Sequence, residues 1–288
     1  MRHVLNIIGE RADGALYTTY LPDNGPGVLL AKTRAIELSF DGDPVKALAE
    51  ARRCNAERSF DINVMPAEGR RKKLLVADMD STIINCECLD ELADMAGLKD
   101  KVSAITERAM RGEIEFAGAL RERVGLLKGL PLEALDRVWR ERVRLNPGAK
   151  ELVATMKAQG AYTLLVSGGF TFFTARVAEA AGFDEHQSNV LIDDGKVLTG
   201  DVREPILGRE AKLAALESAV AKLGIAYDDV LAVGDGANDL AMIQRAGLGV
   251  AYHAKPVVAA AAGASIAHSD LKALLYLQGY KEEEIIAP

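Results

Sequence analysis

From about residue 74 onward, short apolar runs alternate with segments of helical period, and that order builds a parallel sheet with helices on its faces. Lys73 to Ala77 is the first run. Asn146-Pro147 offers an N-cap and a first-turn proline to a helix through Leu152, Val153 and Met156, which Gly160 closes before the strand Tyr162 to Val166. A second helix carries Phe170, Phe173, Val177 and Ala181 ahead of Gly182. A third carries Leu213, Leu216, Val220 and Leu223 ahead of Gly224, and Val230 to Val233 then reads as a buried strand. Between them, Val190 to Leu198 is predicted as a hairpin turning at Asp194-Gly195, a dipeptide that tolerates positive φ. It is the one clear antiparallel piece of this region.

Residues 86 to about 145 interrupt the alternation with helical, charged sequence. Leu89, Leu92 and Ala96 share one face, then Phe116, Leu120 and Val124, then Leu132, Leu135 and Trp139. Ligands bind beyond the carboxyl ends of parallel strands, so an insertion leaving that edge is placed to roof a site. Residues 1 to about 70 differ in character. Strands are predicted over Val4 to Ile8, Ala35 to Phe40 and Phe60 to Val64, with a helix over Pro44 to Cys54, which together make a small α+β domain. The basic stretch Arg70-Arg71-Lys72-Lys73 reads as a solvated linker.

A chain of 288 residues is long enough for two domains, or for one large domain with an insertion, and 49% hydrophobic against 27% charged residues suits a packed globular protein. The net charge of -7 and pI near 5.3 argue against nucleic acid or an anionic membrane as the main partner, while leaving room for a local basic pocket that takes a small anion. The opening Met-Arg-His-Val-Leu-Asn-Ile-Ile has too short an apolar core for a signal peptide, and no run approaches the roughly 20 apolar residues of a membrane helix, so a cytoplasmic location is expected. Cys54, Cys86 and Cys88 form no disulfide framework and read as reduced structural thiols. His3, His186, His253 and His268 have no metal-ligand spacing.

Four elements follow a predicted strand or open a helix at the carboxyl edge of the sheet. The first is Asp78-x-Asp80-x-Thr82, where two acids at a buried strand's tip are costly to desolvate unless a cation or a proton-transfer role keeps them. A plain strand-ending turn is the alternative there. The second is Ser167-Gly168-Gly169, a hydroxyl with approachable backbone amides suited to phosphate oxygens. A serine nucleophile would need glycine at position 165, which is Leu165. Third is Lys212, in the first turn of the helix Arg209 to Leu223, which favours an anion but on its own reads equally as a solvated lysine. Gly234-Asp235-Gly236-Ala237-Asn238-Asp239 is the fourth. Its acids would repel a dinucleotide's pyrophosphate and favour a hard cation, and Mg²⁺ held by one or two carboxylates plus substrate phosphate is the usual arrangement.

In that order the four elements resemble the haloacid dehalogenase-like phosphatase superfamily. Within it, Asp78-Met-Asp-Ser-Thr-Ile-Ile-Asn-Cys-Glu87, Met110-Arg-Gly-Glu-Ile-Glu-Phe116, Leu120-Arg-x-Arg123 through Pro131, and Val166-Ser-Gly-Gly-Phe170 are similar to bacterial phosphoserine phosphatases, over about residues 70 to 280. The resemblance implies an α/β fold, a parallel-sheet Rossmann-like core over residues 71–288 with a helical cap at about 86–145, and an ACT-like N-terminal α+β domain over residues 1–70. It implies hydrolysis of O-phospho-L-serine, with Asp78 as nucleophile and Asp80 as general acid and base. Mg²⁺ would sit on Asp78, Asp235 and the backbone carbonyl of Asp80. Ser167, Gly168, Lys212 and Asn238 would hold the phosphoryl group, Glu87 the substrate ammonium and Arg123 its carboxylate, with Arg121 as a rival. Thr82, Met110, Phe116 and Asp239 would support them. The partner is then a small molecule, and a homodimer is compatible with the reading. Another magnesium-dependent phosphatase or phosphotransferase is the near alternative, and a non-catalytic amino-acid sensor the distant one.

Overall fold

A computed structural model describes residues 2–10, 27–110 and 113–288, apart from the side chain of Met110. Strands β1 (Arg2–Ile8), β2 (Val28–Ala31), β3 (Ala35–Asp41) and β4 (Asp61–Pro66) form an antiparallel sheet in the order β2-β3-β1-β4. Helix α1 (Pro44–Cys54) starts where Asp43 caps it, its carboxylate accepting from the amides of Val45 and Lys46. Strand alternation splits the sheet's apolar residues between two faces. Leu5, Ile7, Ile36 and Leu38 pack with Ala47 and Ala51 of α1, whereas Val4, Ile8, Ala35 and Met65 join the main core. The fourth strand begins and ends later than its predicted range Phe60 to Val64, and β2 had no expected counterpart.

The second sheet is built from β5 (Leu74–Ala77), then, beyond the helical insertion, β6 (Tyr162–Phe170), β7 (Glu185–Asn189), β10 (Val230–Gly234), β11 (Leu248–Tyr252) and β12 (Ala264–Ile266). All its pairings are parallel, in the order β12-β11-β10-β5-β6-β7. Leu75 and Ala77 face one apolar cluster and Leu74 and Val76 the other, which is why β5 is apolar without a break. Helices α6 (Ala149–Ala158) and α7 (Thr171–Ala181) cover one face; α8 (Arg209–Leu223), α9 (Leu240–Arg245) and α10 (Pro256–Ala261) cover the other. Helix α11 (Ala273–Leu277) closes the core against the first sheet. Because β6 and β7 extend the sheet on one side of β5 and β10 to β12 on the other, strand order reverses between β5 and β10, and the crevice above that point is where such sheets bind ligands.

Among the described residues the insertion holds four helices, α2 (Cys88–Met95), α3 (Lys99–Met110), α4 (Phe116–Leu126) and α5 (Leu132–Glu141). It leaves and returns through a short ladder in which Ile84 pairs with Leu145 and the Asn146 amide donates to the Ile83 carbonyl. That ladder corrects the expected role of Asn146. Its side chain donates to the carbonyls of Thr82 and Ile84, and Gly148, at φ 83, caps α6 instead. The hairpin turns at Asp194-Gly195 as expected, with Gly195 at φ 90, and its second strand runs on beyond Leu198. Its strands β8 (Leu191–Asp193) and β9 (Leu198–Val202) flank a turn in which the Asp194 carboxylate accepts from the Lys196 and Val197 amides. It pairs with the insertion near Pro131, outside the six-stranded sheet.

In Arg70 to Lys73, Arg71 and Lys73 are exposed as a solvated linker would be, but the stretch is also tied down by ion pairs. Arg70 forms a half-buried pair with Glu37 at 2.7 Å, Arg71 meets Glu284 and Lys73 meets Asp229, so each of the three ties one part of the chain to another. Polar groups also lock the sheets together elsewhere. Asn63 exchanges two hydrogen bonds with the backbone of Ser265, and the buried Asp61 carboxylate accepts from the amides of Ala267, His268 and Ser269. Cys54, Cys86 and Cys88 are free thiols, and among the described residues no helix is long and apolar enough to cross a membrane.

Candidate active site

Asp78 and Asp235 are the first residues beyond β5 and β10, so the strand reversal sets them on the two lips of one crevice. Carboxylate oxygens of Asp78, Asp235 and Asp239 all lie within 4.8 Å of one another. The ammonium of Lys212 reaches into this group from the first turn of α8, 2.6 Å from Asp78 Oδ1 and 2.5 Å from Asp239 Oδ1. All three partners of that bridge are buried. Lys212 is therefore not a solvated lysine. Burial works to strip its proton, but the charges of Asp78 and Asp239 outweigh burial and raise its pKa.

Asp78 has its carboxyl pushed well above the usual carboxylate range, by burial first and by the charge of Asp239 second, against the pull of Lys212. Asp235 is pushed up to about 6, chiefly by burial and then by Asp239 and Glu87. After burial, the charges themselves push the same way when all three carboxyls are ionised. Three carboxylates facing one ammonium leave two net negative charges in a desolvated cleft, which is the electrostatic demand of a divalent cation with oxygen ligands. Thr82, fully buried, donates from Oγ1 to Asp235 Oδ1 at 3.2 Å and so aims that carboxylate. Gly236 donates its amide to Asp239 Oδ2, and the Asn238 carboxamide lies against Gly236, where a Cβ would overlap it.

Asp80 sits in a tight turn over Met79–Ile83, interrupted by extended Asp80 and by Ser81 at φ 55. Its Oδ1 accepts from the Cys88 amide at 3.0 Å and its Oδ2 from Ser167 Oγ at 3.2 Å. Burial, followed by the charge of Glu87, raises its pKa to about 7 despite those hydrogen bonds. A carboxyl so placed can give up a proton and take one back near neutrality. Ser167 accepts in turn from the Gly169 amide at 2.8 Å, and a Cβ on Gly169 would come within 2.9 Å of Asp80 Oδ2. The strand expected to end at Val166 runs on to Phe170, with its register broken over these residues.

The insertion covers the crevice. Phe116 packs so closely over Gly168 and Gly208 that a Cβ on either would lie 3.2 to 3.3 Å from its ring. Glu87, exposed at the start of α2, accepts from Ser81 Oγ at 2.7 Å. Arg123 is half-buried and donates to the Ala119 carbonyl; burial lowers its pKa, while Asp90 and Glu87 pull it up. Arg121, two residues away, points to the surface and pairs with Glu204 at 2.5 Å. The side chain of Met110 lies outside the described residues.

One contributor escaped the sequence reading. Asn189, buried at the end of β7, donates to the carbonyls of Gly168 and Leu207 and accepts from the Leu207 amide, and so joins the serine-glycine loop to the segment leading into Lys212. An isolated asparagine in the polar strand Glu185-His-Gln-Ser-Asn carries no periodic signal that would reveal it. Asn189→Leu should cost about 1–3 kcal/mol, because three backbone groups lose their partner at once, and should raise KM more than it lowers kcat. Denaturant unfolding with steady-state kinetics checks both; an unchanged KM would detach Asn189 from the loop.

Comparison with known proteins comes to the same place. Residues 75–244 match the haloacid dehalogenase-like hydrolase family. Phosphoserine phosphatase of Archaeoglobus fulgidus is 48% identical over 226 residues, which cover 77% of this chain and 65% of that protein, so the chain spans about two thirds of that relative's length. The structure of a haloacid dehalogenase-family hydrolase from Salmonella enterica serovar Typhi superposes with a TM-score of 0.87 at 31% identity, covering 96% of this chain and 98% of that one. A phosphoserine phosphatase structure described as a phospho-aspartyl intermediate analogue has a TM-score of 0.66 at 41% identity, covering 72% of this chain and 98% of its own.

Proposed function

The chain belongs to the haloacid dehalogenase-like hydrolases, and within that family we propose that it hydrolyses O-phospho-L-serine to L-serine and phosphate through an aspartyl-phosphate, the last step of serine biosynthesis. The observation that carries the reading is the pairing of a buried, lysine-bridged Asp78 with Asp80, a second acid whose pKa lies near 7 and which two hydrogen bonds orient. An Asp78 oxygen attacks phosphorus as the bond from phosphorus to the serine oxygen breaks, and Asp80 gives its proton to that departing oxygen. Asp80 then takes a proton from the water that attacks the acyl phosphate, which returns Asp78 and releases phosphate. Lys212, Ser167 and the Gly168 amide hold the phosphoryl oxygens as charge redistributes, with Asn238 beside them.

Asp78, Asp235 and the carbonyl of Asp80 would hold Mg²⁺, with Thr82 and Asp239 as supports; when bound, the ion offsets the repulsion between an anionic nucleophile and an anionic phosphate. Glu87 takes the substrate ammonium, Arg123 grips its carboxylate, and Met110 and Phe116 close over the serine moiety. Residues 71–288 act as the phosphatase domain, with a cap at about 86–145 joined through the Ile84–Leu145 ladder, and residues 1–70 as a small ACT-like α+β domain packed on its core. We infer a cytoplasmic enzyme whose partner is a free metabolite, with no nucleic acid or membrane involved. A homodimer is compatible with this, and sedimentation would test it.

The deciding assay is phosphate release from O-phospho-L-serine, phosphothreonine and several sugar phosphates, with magnesium and with chelator. Phosphoserine should be strongly preferred, and chelator should abolish release. Indifference to substrate would leave a phosphatase of another specificity, and activity that survives chelation would remove the metal role. For the cap, Arg123→Lys should lower kcat/KM on phosphoserine by about 10-fold or more, the worth of one lost charge-assisted hydrogen bond, and leave an aryl phosphate nearly unaffected. Equal losses on both substrates would take the carboxylate role away from Arg123.

A further inference from the structure

Away from the catalytic crevice, a cavity of ≈ 950 Å³ opens at the seam of the two sheets, between the end of β1, the residues leading into β4 and residues 268–276. That is the size of a small-molecule site, typically roughly 300–1,000 Å³. Its wall is built rather than draped, since the Asp61 carboxylate clamps the backbone of residues 267–269 at 2.6 to 3.3 Å. Three cations line it, Arg34, Arg58 and Lys272, and among the described residues none of them forms an ion pair. Two carboxylates face them, Glu10 and Asp270, the latter with one oxygen already accepting from the Lys272 amide at 2.9 Å. In a chain of net charge -7, three cations gathered around a concavity, with no ion pair among the described residues and Arg58 lying over the Phe60 ring, are a local exception.

We propose that this cavity binds a small organic anion, its carboxylate or phosphate held by Arg34, Arg58 and Lys272 and a hydroxyl group donating to Asp270. The cavity's position connects its occupancy to turnover. The Leu271 amide donates to the Pro147 carbonyl at 3.0 Å, and Gly148 lies so close to Lys272 that a Cβ would come within 2.5 Å of its amide nitrogen. Neighbouring Asn146 holds the Thr82 carbonyl at 2.8 Å, and Thr82 aims Asp235. An anion that draws Lys272 inward therefore pulls on the return limb of the cap ladder and on the loop that carries the catalytic acids.

Calorimetric titration of the magnesium-loaded full chain with L-malate, and separately with inorganic phosphate, tests the site. The comparison proteins are Arg34→Ala/Lys272→Ala and, in case that pair misfolds, Arg58→Ala alone. Malate should bind the wild-type chain saturably and bind the variants at least about tenfold more weakly, while their turnover without malate stays near wild type. Saturating malate should change kcat on phosphoserine. Phosphate also meets the catalytic loop, so only the part of its binding that the variants lose counts; variant-sensitive binding of phosphate alone would assign the cavity to phosphate esters. No variant-sensitive binding of either probe overturns the proposal, and binding that leaves kcat unchanged overturns the link to the cap. Binding is read without turnover, so the cavity stands or falls separately from the phosphatase reading.

Discussion

Asp78→Asn should lower phosphate release by about four orders of magnitude or more while leaving the fold at least as stable as before. The carboxamide keeps the shape of the side chain but removes the attacking anion. The stability half of the expectation comes from the surroundings of Asp78. Its carboxylate is buried beside Asp239 and Asp80, and only part of the cost of its charge is recovered through Lys212, so neutralising it relieves repulsion where catalysis had stored it. Phosphate-release kinetics and thermal unfolding on the same preparation give both numbers. Residual activity within a factor of about ten would mean that another group attacks phosphorus.

Lys212→Met should have the opposite profile, abolishing activity and also costing about 3–5 kcal/mol of stability, because removing one side of a buried pair leaves the other charged and alone. Here two carboxylates, Asp78 and Asp239, lose their shared counter-charge. The loss should depend on pH with a definite sign. Without Lys212 the folded-state pKa of Asp78 rises further above its unfolded value, so the variant is most stable where the acid is protonated in both states and loses stability as pH rises toward the folded pKa. Denaturant unfolding at pH 5 and pH 8 should therefore show the larger deficit at pH 8, and a deficit independent of pH would mean that lost packing, not exposed charge, sets the cost.

Particular residues mark how much of this was legible beforehand. Buried parallel strands are apolar on both faces, so β5 and β10 stood out as unbroken runs, and the acids directly after them were conspicuous because nothing apolar requires them there. Helix α8 was readable from Leu213, Leu216, Val220 and Leu223 to its last residue. Edge elements were not. Strand β7 pairs with β6 through its backbone, but its side chains make polar bonds such as Tyr162 to Glu185 and Thr174 to Ser188 and leave no apolar pattern to read. Arg70 to Lys73 read as linker because local sequence shows charge but not the distant Glu37, Glu284 and Asp229 that neutralise it. Asn146 looked like an N-cap for the same reason: its true partners, the carbonyls of Thr82 and Ile84, lie more than sixty residues back along the chain.

By itself the sequence determined the layered α/β class, the place of the helical insertion and the identity of the acids and lysine at the sheet's carboxyl edge, because periodicity and strand-tip position are local properties of the chain. Only the tertiary structure decided which charges meet. It sent Arg121 to the surface and left Arg123 half-buried in the field of Asp90 and Glu87. It closed Lys212 between two carboxylates, gave Asp80 its orientation through Cys88 and Ser167, and opened a cation-lined cavity between sheets whose residues lie more than two hundred positions apart. Burial and proximity set those pairings and the pKa values that follow from them, and both are properties of the packed chain rather than of any stretch of it.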